Sequence, residues 1–285
     1  MNSETWYSEG KTETVNGLGV FYKRSGKGQV LLCIHGFPSS SWDFEPIWPS
    51  LIERFDVLIP DLIGLGKSAK PDQKLTIRFQ ADILEGIAEK EGITEAHLLA
   101  HDLGDTIAQE LLARQLENTS KVKWLSCVFL NGGLFPETHR ALPIQKLLLS
   151  KLGPFVSIWM TEKSLKKSMT GIFSKAHPPS DAFIHETWNL ITENKGKTMI
   201  PKLIHYMAER KIHRERWVQP LVQNVVPLRL INGSEDPISG RHAAQRYAEL
   251  VPNADVVYLK NCGHYPHVET PQEVLQAFFE FHGNL

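Results

Sequence analysis

Short apolar runs separated by longer amphipathic ones set the tightest limit on how this chain can fold. Residues 19–24, 29–35, 56–60, 96–100 and 123–130 are apolar stretches of strand length. Helical patterns at 75–90 and 104–116 lie between the later ones. Runs 19–24 and 29–35, joined by a turn at 25–28, are expected to be neighbouring strands. Strands that alternate with helices predict a mostly parallel sheet covered on both faces. From about 134 to 223 the rhythm stops, leaving helical periodicity and several prolines. It resumes with a strand at 227–231, a helix at 240–250, a strand at 255–259 and a helix at 271–282. The expectation is one α/β core domain built from 1–133 and 224–285, interrupted by a helical cap over 134–223. Such a lid would lie over the carboxyl ends of the strands, where open α/β sheets bind ligands. Two separate domains are the weaker reading, because the last piece is too short to hold its own core.

Composition narrows the function classes. Hydrophobic residues make up 42%, charged residues 22%, and the net charge is −1. That balance suits a soluble globular protein and gives no global field to recruit nucleic acid or an anionic membrane. The basic cluster at 211–216 reads as a solvated helix face. Three cysteines, Cys33, Cys127 and Cys262, are too few and odd in number for a disulfide framework, which fits a reducing compartment. The polar, acidic first ten residues carry no signal-peptide pattern. No apolar run approaches the ~20 residues of a membrane span. A cytoplasmic location is therefore expected. No Cys or His spacing suggests zinc. Gly64-Leu65-Gly66-Lys67-Ser68 ends like a phosphate loop, but Asp61 stands where its first glycine is required. The overlapping G-x-G-x-x-A pattern is followed too soon by Pro71 for a long helix. No cofactor or metal is expected. The expected partners are a small-molecule substrate and water, and nothing specifies an oligomeric state.

The strongest local signal surrounds residue 102. In Leu98-Leu99-Ala100-His101-Asp102-Leu103-Gly104 a buried strand runs straight into a helix, with small residues two before and two after Asp102. A nucleophile elbow needs that spacing, because larger side chains would clash in so tight a turn. Asp102 would then stand at a helix N-terminus, whose field favours an anion. An ordinary N-cap aspartate is the alternative. Three further segments bear on the choice. His35-Gly36-Phe37-Pro38 follows a strand, so the Phe37 amide, paired with that of Leu103, is a candidate oxyanion hole. Asp236, in Asn232-Gly233-Ser234-Glu235-Asp236-Pro237, follows the strand at 227–231. His264, in Gly263-His264-Tyr265-Pro266-His267, follows the strand at 255–259. Alone, each is an ordinary turn or loop residue. Together they give the chain order nucleophile, acid, histidine.

On these segments the chain resembles the epoxide hydrolase and haloalkane dehalogenase branch of the α/β-hydrolase fold over essentially its whole length. Asp61–Ser68 and His35–Phe44 are similar to that branch as well. His101–Arg114, Asn131–Arg140 and the stretch from Tyr206 to Trp217 resemble a subgroup, the mesoderm-specific transcript proteins. The resemblance implies an eight-stranded sheet with a helical lid.

An aspartate constrains the substrate. Attack on an acyl carbon would give a mixed anhydride, a poor route to ester cleavage. Attack on a saturated carbon opens an epoxide or displaces a halide and leaves an alkyl ester on Asp102. His264, oriented by Asp236, would then activate water against that ester. Resemblance to epoxide hydrolases implies two lid tyrosines. Tyr206 matches one, and residues 104–205 contain no tyrosine for the other. Resemblance to haloalkane dehalogenases implies a tryptophan after the nucleophile and often an asparagine after His-Gly. Leu103 and Phe37 stand there instead. Trp159, Trp188 and Trp217 are expected to pack inside the lid. Leu103 also differs from the arginine of fluoroacetate dehalogenases. Asp105, three residues after Asp102, is expected to satisfy first-turn amides, or else to face the pocket and repel the Asp102 charge. Epoxide opening is the leading reading, with haloalkane dehalogenation second. A binding protein that kept the fold without turnover is the alternative from another class. An esterase using Asp102 only as a base comes last.

Overall fold

Eight strands form one sheet in the computed structural model, which describes residues 2–285. They are β1 (Lys11–Val15), β2 (Leu18–Ser25), β3 (Val30–Ile34), β4 (Asp56–Pro60), β5 (Glu95–His101), β6 (Lys123–Leu130), β7 (Leu228–Gly233) and β8 (Asp255–Leu259). Their order is β1-β2-β4-β3-β5-β6-β7-β8. β1 and β4 both pair antiparallel to β2, and the remaining pairs are parallel. β3, β5 and β6 are almost wholly buried, as central parallel strands with helices on both faces must be.

Two details differ from the sequence reading. The eighth strand is β1, an edge strand of sequence KTETV in which only Val15 is buried. A half-solvated edge has no apolar run to reveal it. The runs at 19–24 and 29–35 are also not neighbours, because β4 lies between them. Positive-φ Gly26 and Gly28 bend the link, and a Cβ on Gly26 would overlap the Phe55 carbonyl oxygen. The chain therefore passes tightly against the start of β4 instead of closing a hairpin.

Four helices position the site: α1 (Ile77–Lys90), α2 (Leu103–Leu116), α3 (Tyr206–Ile212) and α4 (Arg214–Val222). Thr76 caps α1 by accepting from the Phe79 amide at 3.1 Å. Between β6 and β7 the described residues contain helices and no strand. Glu110 of α2 ties α4 to the core. It accepts from Trp217 Nε1 at 2.7 Å, Arg216 Nε at 2.9 Å and Arg114 Nε at 3.1 Å. Arg214 pairs with Glu137. The basic cluster at 211–216 is thus partly committed to ion pairs and is not simply a solvated face. Trp217 is buried, but Trp159 is 83% exposed, so the expectation that it packs inside does not hold. It belongs to an apolar strip, with Leu152, Phe155 and Ile158, that is left exposed among the described residues.

Candidate active site

β5 meets α2 with no intervening loop. Asp102 alone makes the turn, at φ 48° and ψ −102°. A non-glycine residue held there stores strain that its surroundings must enforce. The surroundings are close. A Cβ on Gly104 would overlap the Ile34 carbonyl oxygen and lie 3.0 Å from that of His35. One on Gly36 would lie 2.7 Å from His101 Nδ1 and 3.0 Å from Asp102 Cβ. Gly104→Ala is therefore expected to cost about 3 kcal/mol, since backbone rather than a flexible side chain must yield. Urea unfolding measures this, and unchanged stability would refute the close-approach account.

The Asp102 side chain makes no capping hydrogen bond, which disfavours the N-cap reading. Its Oδ2 instead accepts from the Phe37 amide at 3.1 Å. Leu103 opens α2, where first-turn amides have no intrahelical partner. Sequence reasoning missed Arg210, a residue of α3 that is only 2% exposed. Its Nε donates to Thr106 Oγ1 at 2.6 Å and its Nη2 to the Asp102 carbonyl oxygen at 2.9 Å. Nη2 also lies 3.8 Å from Asp102 Oδ1. One turn earlier on α3, the Tyr206 ring sits 4.5 Å from the Arg210 guanidinium and 6.0 Å from the Phe37 ring. The Tyr206 hydroxyl is buried without a hydrogen-bond partner. Burial, then the Asp102 charge, raise its pKa, so it stays protonated. The i, i+4 spacing from Tyr206 to Arg210 was the available signal for the arginine.

Asp236 and His264 meet at the carboxyl ends of β7 and β8. His264 Nδ1 lies 2.8 Å from Asp236 Oδ2. Asp236 also accepts from Asn131 Nδ2 at 3.0 Å, the amides of Ile238 at 2.7 Å and Ser239 at 3.1 Å, and Ser239 Oγ at 2.7 Å. Burial would raise its pKa, but the His264 charge and these donors outweigh it and hold the carboxyl at about 2. For His264, burial lowers the pKa. The charge and hydrogen bond of Asp236, then the Asp102 charge, outweigh burial and bring it to about 9. Asn131 and Ser239 were not foreseen. Their signal is only positional: Asn131 directly follows β6, and Ser239 lies three residues after Asp236.

Asp105 departs from its expected role. Neither of its oxygens bonds to a first-turn amide of α2, and the backbone groups beside it are those of Leu130 and Gly132. The side chain is wholly buried, and a Cβ on Gly132 would overlap it. Burial, reinforced by the Asp102 charge, raises its pKa well above the usual carboxylate range and keeps it neutral. It therefore adds no second anion beside Asp102. Tyr265, next to His264, has a second buried hydroxyl, and burial, then the Asp43 charge, raise its pKa well above the ordinary tyrosine value. Asp43, His101 and His267 bring metal-ligating atoms within 4.8 Å of one another, a grouping from three separate segments that sequence spacing does not reveal.

Residues 31–277 match the alpha/beta hydrolase family, and the chain belongs to it. It is similar to the mesoderm-specific transcript protein of Mus musculus, with 35% identity over 290 residues, covering 97% of this chain and 87% of the relative. Among solved structures it resembles haloalkane dehalogenase DbeA from Bradyrhizobium elkani USDA94, with a TM-score of 0.80 and 20% identity over 97% of this chain and 99% of that one. It also resembles the epoxide hydrolase CorEH, with a TM-score of 0.76 and 20% identity over 96% of this chain and 98% of that one. No helix among the described residues is long and apolar enough to cross a membrane.

Proposed function

We propose that this protein is a hydrolase working through an alkyl ester on Asp102, with an epoxide as the first-choice substrate. The observation that carries the reading is the Phe37 amide on Asp102 Oδ2 at 3.1 Å. That contact leaves Oδ1 as the nucleophilic oxygen. Oδ1 forms a bond to a saturated epoxide carbon, the carbon–oxygen bond of the ring breaks, and the released oxygen takes a proton from a buried tyrosine hydroxyl. Tyr206 and Tyr265 each offer one. His264, positioned by Asp236, then takes a proton from water as that water attacks the Asp102 carbonyl carbon. The Phe37 and Leu103 amides hold the oxyanion. As it collapses, the bond between the Asp102 carbonyl carbon and the substrate oxygen breaks, that oxygen takes the proton from His264, and the proton of the regenerated Asp102 carboxyl returns to the tyrosinate. The steps are coupled electrostatically. Alkylation neutralises Asp102 and removes one of the charges that raise the His264 pKa, which shifts His264 towards the free base that the second step uses.

Epoxide stands ahead of halide because two of the three lid tryptophans do not offer a donor to the site. Trp217 Nε1 is bonded to Glu110, and Trp159 faces solvent. The solved-structure likenesses include both enzyme types and do not rank them.

Isotope labelling tests the mechanism. With enzyme in excess over styrene oxide in 18O-water, the first-turnover diol should carry unlabelled oxygen taken from Asp102. Full labelling in that first turnover would instead mean that Asp102 acts as a base for direct water attack. Failure to open any epoxide or haloalkane would favour a binding protein.

A further inference from the structure

Arg210 has one guanidinium nitrogen turned to Asp102 and another with nothing to bind. Nη2 serves the Asp102 carbonyl oxygen at 2.9 Å, whereas Nη1 is buried without a partner. Both ring nitrogens of His139 are likewise buried and unpartnered. The two groups converge beside Gly133, where a Cβ would overlap Arg210 Nη1 and lie 3.1 Å from His139 Nδ1. They line a cavity of about 450 Å³ whose wall includes Arg140, Lys146, Met207 and Lys211 and no acidic side chain. Arg140, Lys146 and Lys211 are exposed, so they present positive charge to an incoming molecule. Burial, then the Arg210 charge, keep His139 neutral, with one N–H to donate.

The charge balance gives the cavity an occupant. Asp102 supplies the negative charge nearest Arg210 among its ion pairs. In the alkyl-ester state that charge is gone, and Asp105 behind Gly132 is held neutral by burial. A buried guanidinium then needs another anion. We propose that the substrate supplies it: a carboxylate held by Arg210 Nη1 and His139, on a small organic acid whose reactive saturated carbon reaches Asp102. Two buried donors match the two oxygens of a carboxylate, and a planar guanidinium suits that geometry. This substrate class rests on the alkyl-ester reading, but the anion site itself can be measured without any reaction.

The test is calorimetric titration of the wild-type protein with hexanoate and with hexanamide, its neutral counterpart. Hexanoate should bind at least tenfold more tightly, and Arg210→Met and His139→Leu should each remove the preference. Equal binding of the two probes by wild type, or binding of neither, overturns the proposal even if the Arg210 variant fails to fold. So does a preference that survives in folded His139→Leu and Arg210→Met proteins. The chemistry is judged separately. Hexanoate preference without any trapped ester keeps the anion site and rejects the alkyl-ester reading. A trapped ester without hexanoate preference does the reverse.

Discussion

Asp102→Asn lowers epoxide turnover by at least about ten-thousand-fold, a loss on the scale seen when a nucleophile is removed from an active site. The substitution isolates charge from shape. Asparagine tolerates positive φ nearly as well as aspartate, so the turn at φ 48° survives. Its side-chain oxygen can still accept from the Phe37 amide. What disappears is the anion that would bond to carbon. Steady-state kcat/KM against a panel of epoxides reads the loss, and thermal melting followed by circular dichroism reads the fold. A folded variant that retains even a tenth of the activity would show that another group, or water directly, attacks the substrate.

Asp236→Asn is expected to lower kcat by about ten-thousand-fold, as the equivalent change does in serine proteases by fixing the wrong histidine tautomer. The side chain here is surrounded by donors: Asn131, the Ile238 and Ser239 amides, Ser239 Oγ and His264. An amide NH₂ placed among them donates to His264 Nδ1, which puts the ring proton on Nε2 and leaves no lone pair there to take a proton from water. The pH profile changes as well. His264 acts as a base only when neutral, so ester hydrolysis rises with pH through its pKa and levels off above it. In the resting site Asp236 contributes most to raising that pKa towards about 9. Without its charge the rising limb moves to lower pH, with a reduced plateau. Rapid-quench measurement of ester decay across pH follows both effects. A limb that stays in place would assign the titration to a group other than His264.

How much of this could be read from sequence depends on how local each feature is. The turn at Asp102 is local: Ala100 and Gly104 must be small because backbone passes close by, and that requirement is written into consecutive residues. β3 to β7 are largely buried and therefore show as apolar runs, and the partly buried β8 keeps one at 256–259, whereas the polar β1 does not. The placement of β4 between β2 and β3 depends on how Gly26 and Gly28 pass Phe55, a long-range packing fact with no periodic signature. Arg210 and His139 lie on segments far apart in sequence from Asp102. An arginine in a helix normally reads as solvated, and only folding reveals that this one is buried against Asp102. Asp105 was misread for a similar reason. First-turn position suggests a capping role, but Gly132 leaves room for the carboxyl to be buried beneath the end of β6.

The covalent ester is the centre of the account, and trapping it is the most direct measurement. His264→Gln removes the base for the second step while leaving Asp102 free to react. After incubation with styrene oxide, the intact mass of this variant should rise by one substrate equivalent, and peptide mapping should place the adduct on Asp102. If the variant gains no mass while the wild type opens the same epoxide, or if the adduct maps to another residue, Asp102 is not the nucleophile.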